Sequence, residues 1–452
     1  MAYDIIKTII WVMSTILSLA TLHFGILAIV GIFAKKKYPK AKEHHRYGIT
    51  ISARNEGQVI GALIESCRKS NYPQDKLEIF VVAHNCTDNT AEIARKYGAT
   101  VYEYNNEKEK TKGYALKYLF EQIEKDYGIK SFDGFFTFDA DNILSKDFFE
   151  KMNDAFEAEG CKNIITSFRN AKNFGSNALS AVYGVYFLQG CRLEFRGRTV
   201  CNCSARISGC GYLIPAESVA NGWNYVTLTE DWEFSSDQIL QGRKIKYCDD
   251  AIFYDEQPTD FKIMWRQRVR WAKGHLLVCL TKWTELFRKI FSRKKVGKNK
   301  NRFSAFDLMV NITPACIIYV VIAILELILT AVGSLIGGGS MAQLWIDYAI
   351  SIGTGLAGTF VANILLCGLI FILEHKRIKN VSFGTKLGAC LCYPIFQLLT
   401  TPMQIVALFS RNLAWKPIPH SDQTNFDELN SEVTVVEVKE TTVIDNDEVI
   451  IK

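Results

Sequence analysis

Several common signatures are missing from this chain of 452 residues, and each absence narrows what it can be. No C-x-x-C pair occurs: Cys201 and Cys203 flank a single residue, which disfavours a structural zinc site. There is no internal repeat of the kind that builds solenoids or propellers, and no nucleic-acid-binding signature. Charge is scarce within residues 8–33, where His23 is the only ionisable side chain, and no small-residue cleavage site closes that run, as it would in a signal peptide. Aromatic residues are nearly absent beyond Ser421, where Glu, Asp, Thr and Val predominate, so residues 411–452 are expected to form a flexible tail.

Apolar residues are plentiful, at 48% against 22% charged, and the mean hydropathy is +0.04. They are unevenly spread. Residues 8–33 extend over roughly 35 to 40 Å as a helix, enough to cross a bilayer core of about 30 Å. Similar runs at 308–336, 349–373 and 387–409 follow in the C-terminal third, the last interrupted by Pro394 and Pro402. Glu326 lies inside the first of these, where an acid faces either a channel or a neighbouring helix. Lys35, Lys36, Lys37 and Lys40 directly after the first run, and His375, Lys376, Arg377 and Lys379 later, mark the cytoplasmic side. These expectations divide the chain into a spanning helix at 1–34, a cytosolic domain at 35–258, an interfacial region at 259–305, spanning helices at 306–410 and the tail. The net charge of +6 mainly reflects juxtamembrane basic residues such as Arg293, Lys294 and Lys295, which enforce topology or touch anionic lipid. In a reducing cytosol the odd total of 13 cysteines reads as thiols.

Between the apolar blocks, strand and helix patterns alternate. Strands are expected at 47–52, 77–82, 99–103 and 135–138, with helices at 59–68, up to 97, and 112–123. That alternation predicts an α/β domain with a largely parallel sheet covered on both faces, whose ligands bind off the carboxyl ends of the strands. Asn55, Glu56, Asp88, Asp139 and Asp141 all fall at those ends. Residues 259–286 mix aromatic and basic side chains in a helical pattern, which suits either a membrane-surface helix or an ordinary surface helix of the domain.

Three short stretches carry chemistry. Asp139-Ala140-Asp141 places two carboxylates after a buried strand, where they can share a divalent cation and leave room for phosphate oxygens. Thr229-Glu230-Asp231 is a second acidic pair. Asp231 is the candidate general base for deprotonating an attacking hydroxyl, with Glu230 orienting or binding substrate; alternatively, Thr229 caps a helix and the acids favour its positive end. In Gln267-Arg268-Val269-Arg270-Trp271 a helix puts Gln267 and Trp271 on one face, flanked by guanidinium forks suited to phosphate and followed by an indole suited to a sugar ring. Lys112 is a further candidate for diphosphate.

Taken in order, Asp139-Ala-Asp141, Ser208-Gly-Cys-Gly-Tyr212, Thr229-Glu-Asp231 and Gln267-Arg-Val-Arg-Trp271 resemble the D-x-D, acceptor-loop, T/E-D and Q-x-x-R-W elements of membrane-embedded, processive family-2 inverting glycosyltransferases, the group of cellulose, chitin, hyaluronan and poly-N-acetylglucosamine synthases. The resemblance covers roughly residues 48–272. It implies a GT-A fold, a UDP-sugar donor such as UDP-glucose or UDP-N-acetylglucosamine, and Mg²⁺ or Mn²⁺ held by Asp139 and mainly Asp141. It further implies Asn55, Glu56, Asp88, Lys112, Asp139, Gln267, Arg268 and Arg270 around the donor, with Asp231 as base. Cys210, Gly211, Glu230 and Trp271 would lie at the acceptor, a growing glycan passed into the lipid bilayer, with room for an accessory export subunit and no role for nucleic acid.

Two departures from the family pattern are visible. Ser52-Ala-Arg-Asn55-Glu56 stands where Pro-x-x-Asn-Glu is usual, and Ala83-His84 replaces an Asp-Asp pair whose first member usually meets the nucleobase. A transferase adding one sugar to a polyprenyl phosphate would share the donor half of this pattern. A transporter or sensor with a nucleotide-binding domain would need no general base.

Overall fold

A computed structural model describes residues 2–292, 301–336, 341–379, 381–410, 418, 420, 422 and 424–430. A long helix, α1 (Ala2–Phe33), leads into β1 (Tyr47–Ala53), α2 (Ile60–Arg68), β2 (Leu77–His84), α3 (Thr90–Lys96), β3 (Thr100–Tyr104), α4 (Lys112–Asp126) and β4 (Gly134–Asp139). β1 pairs in parallel with both β2 and β4, and β2 with β3, as the alternating pattern predicts. Both faces of these strands are covered, so β1 is buried almost throughout and reads as a continuous run rather than an alternation.

The sheet continues where periodicity alone is silent. After β5 (Ile143–Leu144), α5 (Phe148–Ala158), β6 (Ile164–Ala171), α6 (Ala178–Gln189), a π-helical stretch (Gly190–Phe195) and α7 (Arg196–Val200) come β7 (Tyr212–Pro215), α8 (Glu230–Leu240) and β8 (Ile245–Asp255). The eight strands lie in the order β3-β2-β1-β4-β7-β6-β8-β5, with β7 antiparallel to β4 and β6, and β5 antiparallel to β8. The result is a GT-A-like α/β domain. Phe136, Phe138, Phe148 and Phe149 pack edge and face beneath the end of β4, so the turn carrying Asp139 to Asp141 rests on a stiff aromatic floor.

The amphipathic pattern from 259 becomes one helix, α9 (Phe261–Phe291), its start capped by the Asp260 carboxylate accepting from the amides of Lys262 and Ile263. The apolar run expected at 308–336 is divided at Pro314 into α10 (Arg302–Ile312) and α11 (Ala315–Ile336). α12 (Met341–Leu373), α13 (Phe383–Leu398) and α14 (Thr400–Phe409) complete the set, the last two together forming the span expected at 387–409, broken at Leu399. Thr8–Phe33, Ala315–Gly333, Trp345–Leu373 and Phe383–Phe409 are each long and apolar enough to cross a membrane. The Gly-Gly-Gly-Ser turn at 337–340 lies outside the described residues.

Buried ion pairs tie the helices to one another and to β8. Arg198 makes a two-pronged contact with Asp307 of α10 at 2.7 and 2.8 Å, and Asp307 also meets His23 of α1 at 2.9 Å. Arg192 reaches Glu374 at 3.0 Å, while Arg196 and Arg377 converge on Asp249 of β8 at 2.6 and 2.8 Å. Removing one member would strand a buried charge at a cost of about 3–5 kcal/mol. α1 crosses α7 closely because Gly197 has no side chain; a Cβ there would stand 1.9 Å from the Leu27 carbonyl oxygen.

The segment read as a flexible tail is partly built into the domain. Residues 426–430 form a helical turn whose Phe426 is only 5% exposed, and His420 and Asp422 bond to the ends of the sheet. Poor aromatic content misled here because one buried ring and a few hydrogen bonds to an existing surface suffice to seat a short segment. Residues 431–452 lie outside the described set.

Candidate functional site

A single cleft of about 270 Å³ opens at the carboxyl ends of the strands and is lined by residues from all three sequence stretches, among them Asp139, Asp141, Glu230, Asp231, Gln267, Arg270 and Trp271. Glu56, Lys112 and Cys210 also line it. Asp141 and Asp231 therefore share one cavity.

The turn after β4 is held by Asn142, which is buried: its side-chain oxygen accepts from the Asp139 amide at 3.1 Å, and its amide donates to the Asp139 carbonyl at 3.1 Å. Asp141 is fixed in turn, with Oδ1 accepting from Asn142 at 3.2 Å and Oδ2 from the Glu256 amide at 2.9 Å. Asp139 pairs with Lys112 Nζ, which also donates to the Gly209 carbonyl at 2.7 Å. Burial opposes charge on both members of that pair, yet their mutual attraction wins, lowering the carboxyl and raising the amine, the latter with help from Glu230. Among the described residues no three His, Cys, Asp or Glu side chains converge to close a metal shell. One or two carboxylates with open positions beside them nonetheless fit a cation of the Mg²⁺ kind, which completes its shell with water and phosphate oxygens.

Glu230 and Asp231 begin α8. Thr229 occupies the cap position without making a side-chain cap, and its buried hydroxyl oxygen has no hydrogen-bond partner, so simple helix capping does not explain the stretch. Burial pushes the Glu230 carboxyl up to about 7, Lys112 pulling against it and Asp231 adding to it. Burial also raises Asp231, with Arg206 opposing, and its Oδ1 accepts from the Trp232 amide at 2.9 Å. A general base with a raised pKa and a fixed orientation is what proton abstraction near neutral pH requires.

α9 approaches this pair closely because residue 274 is glycine: a Cβ there would lie 2.3 Å from Thr229 Cγ2. That contact holds Arg270, whose Nη1 donates to the Leu228 carbonyl at 3.2 Å, and Trp271 over the cleft. Gln267 lines the cleft while its Oε1 accepts from Tyr183 at 2.8 Å.

Four expected site residues lie elsewhere. Arg268 is about 100° around the helix from its neighbours. It faces the α13–α14 junction, donating to the Phe396 carbonyl and, at 2.6 Å, to Thr400 Oγ1, with its guanidinium 3.7 Å from the Phe396 ring centre. Asn55 and Asp88 staple two loops: Asn55 accepts from the Thr87 amide at 2.8 Å, and Asp88 from the amides of Gly57 and Thr90, each at 3.1 Å. Asn55 has φ 58°, a left-handed conformation that asparagine tolerates better than most residues. Gly211 also lies off the cleft wall, its φ of +68° and the Phe253 ring 2.1 Å from a would-be Cβ explaining the glycine.

Other lining residues carry no linear signal. Arg169 binds Asp255 at the end of β8, where burial lifts the carboxyl to about 6 against the pull of Arg169. Arg206 lies 4.3 Å from the Trp232 ring centre, and His275, whose pKa burial lowers to about 3, meets the Trp232 ring edge to face with centroids 4.3 Å apart. His84, in place of the carboxylate usual at this strand end, is buried with Nε2 2.7 Å from the Glu109 carbonyl, and burial lowers its pKa.

Residues 45–274 match the family model described as glycosyltransferase-like family 2, a little over half of the chain. A probable glycosyltransferase, YdaM, of Bacillus subtilis (strain 168) is 26% identical over 263 residues, 56% of this chain and 60% of that protein. A probable glycosyltransferase of Sulfolobus acidocaldarius is 26% identical over 237 residues, 50% of this chain and 49% of that protein, so the chain spans roughly half of these relatives' lengths. The poly-beta-1,6-N-acetyl-D-glucosamine synthase of Staphylococcus aureus (strain COL) is 25% identical over 317 residues, 68% of this chain and 69% of that protein. Among solved structures, the mannosyltransferase PcManGT of Pyrobaculum calidifontis, in complex with GDP-Man and Mn²⁺, shares the fold with a TM-score of 0.53 at 14% identity, covering 87% of this chain and 99% of that one. With the matched residues spanning the sheet, both acidic pairs and the start of α9, the chain belongs to glycosyltransferase-like family 2.

Proposed function

We propose that this protein is a multi-pass membrane glycosyltransferase whose cytosolic domain transfers hexose units from a UDP-sugar, with inversion, to the end of a growing β-linked polysaccharide and helps export it. The observation that carries the reading is the single cleft joining Asp141 to Asp231 beneath the Arg270–Trp271 turn of α9. The likeness to the staphylococcal synthase and the four candidate spans support the polymer and the membrane.

In this mechanism Asp231 takes the proton of the acceptor hydroxyl as that oxygen attacks the anomeric carbon. The Trp232 amide favours its ionised form, while Glu230 beside it orients the acceptor. Lys112 and Arg270, which both line the cleft, offset negative charge on the departing diphosphate, and Trp271 offers the acceptor sugar a flat apolar face. Asp141, with Asp139, would hold Mg²⁺ or Mn²⁺, which supplies further neutralisation of the leaving group when bound. Glu56, which lines the same cleft, would contact the donor.

The test is to feed purified membranes with individual labelled UDP-sugars and size the products. A ladder of glycans supports the proposal, whereas a single sugar on a lipid identifies a polyprenyl-phosphate transferase. Absence of any transfer, with nucleotide binding retained, would favour a sensor or transporter.

A further inference from the structure

The polar face that α9 turns to the cleft does not end at Trp271. Gln267, Trp271 and His275 recur at four-residue intervals, so they share one face of the helix, and all three line the cleft. His275 lies one turn past Trp271, an advance of about 5.4 Å along the axis. There its imidazole meets Trp232, the residue after the proposed base, edge to face with ring centroids 4.3 Å apart. The same indole carries the Arg206 guanidinium 4.3 Å from its centre, and Arg206 pairs with Glu194 of the π-helical stretch at 3.5 Å. Trp232, Arg206 and Glu194 all line the cleft, and a second, smaller cavity beside α10 shares Glu194 and Arg206 with it.

The hydrogen-bonding capacity of this cluster is not used up. Among the described residues neither ring nitrogen of His275 has a hydrogen-bond partner, and the buried Nε of Arg206 has none. Polar atoms left in that state inside a cleft favour a ligand that satisfies them. Burial, aided by the Arg206 charge, lowers the His275 pKa to about 3, so the ring is neutral and offers one donor and one acceptor.

The charge balance narrows what that ligand is. The one guanidinium is already matched by Glu194, and it also favours the ionised form of Asp231. No positive charge is therefore left over to receive an anion, whereas hydroxyl or acetamido groups find both donors and acceptors. A carboxylate on the ligand would be repelled by Glu194 and Asp231.

We propose that His275, Arg206 and Glu194 form a second acceptor subsite, which hydrogen-bonds an uncharged hexose next to the sugar on Trp271 and rejects a uronic acid in that position. The inference rests on the glycosyltransferase reading, and it assigns acceptor choice to residues outside the Gln267 to Trp271 stretch.

The experiment uses the full chain in lipid nanodiscs with UDP and Mn²⁺ present. The probes are β-linked tetramers of glucose, N-acetylglucosamine and glucuronic acid, with binding followed by saturation-transfer NMR. At least one neutral tetramer is expected to bind, and the glucuronic acid tetramer to bind about tenfold more weakly or worse. His275→Phe keeps a ring against Trp232 but removes both nitrogens. It should weaken the neutral probe by about tenfold, while UDP affinity, measured by titration, stays within a factor of about two. Glu194→Gln should bring the glucuronic acid tetramer to within about threefold of the neutral one, because it removes a repelling charge and leaves Arg206 unmatched. Equal binding of glucose and glucuronic acid tetramers to the unaltered chain would overturn the proposal, as would binding of none of the three. So would an unchanged neutral probe in His275→Phe, or a parallel loss of UDP affinity, which would give His275 a purely structural part. Because the readout is binding, failure of every UDP-sugar as a donor would count against the proposed reaction and leave this comparison readable.

Discussion

Gly274 and Thr229 are in contact so close that a single added carbon on residue 274 would lie 2.3 Å from the threonine methyl and 2.4 Å from its hydroxyl. The contact couples the start of α8, with its acidic pair, to the helix that carries Arg270 and Trp271. Two motifs more than thirty residues apart in the chain thereby become one wall of the cleft.

Replacing Gly274 with Ala should therefore separate the two motifs. Overpacking of this kind costs about 1–3 kcal/mol, and the accompanying shift should lower kcat by about 10²-fold. Thr229→Ala in the same chain should restore part of both losses, since it removes the two nearest atoms. Thermal unfolding and initial transfer rates of the single and double variants give the answer; no rescue would mean the contact does not set the geometry.

Asp231→Asn should reduce transfer by about 10³-fold while leaving nucleotide affinity within a factor of a few, because an amide cannot accept the hydroxyl proton. Isothermal titration with UDP and Mn²⁺ alongside product formation separates the two effects. Parallel loss of binding would assign the residue a structural role.

The raised carboxyls of Glu230 and Asp231 set an acid limb. Transfer should fall as pH drops through about 7, the value to which Glu230 is raised. For stability the sign is opposite. Folded Glu230 keeps its proton to about 7 against an ordinary 4.5, so the folded state binds more protons between those values, and the contribution to stability, full below 4.5, is lost as pH rises through about 7. Glu230→Gln should accordingly raise the unfolding temperature more at pH 8 than at pH 5, which melting curves at the two pH values will check.

Arg268→Ala and Arg270→Ala should part company. Arg268 holds the α13–α14 junction, so its loss should destabilise the helical part by about 2 kcal/mol through broken charge-assisted hydrogen bonds, with donor KM little changed. Arg270→Ala should instead raise donor KM or lower kcat by about tenfold or more with little change in melting. Identical behaviour of the two would contradict the opposite directions in which their side chains point.

Lys112→Ala should weaken binding of the diphosphate and also free Asp139, whose carboxyl lies below its ordinary range chiefly because Lys112, against the effect of burial, favours its charge. An increased Mn²⁺ requirement for UDP binding, measured by titration, is the expected outcome; unchanged UDP affinity would remove Lys112 from the donor side.

What the chain's order of residues determined was the alternation. Apolar strands covered on both faces read as unbroken runs, and their ends, where ligands gather, put Glu56, Asp139 and Asp141 in the cleft without any knowledge of packing. The four apolar runs were equally plain, because a length of about 20 apolar residues is a one-dimensional property. Which face of a helix or loop each polar side chain would take was decided only in three dimensions. Arg268 and Arg270 are chemically identical and two positions apart, yet one binds a helix junction and the other the cleft wall. Asn55 and Asp88 sit at strand ends but satisfy loop amides instead. The later strands, β6 to β8, and the returning His420 were hidden for the same reason: antiparallel pairing across long connections, and a short segment seated by one ring and a handful of hydrogen bonds, are contacts between distant residues that leave no period in the sequence.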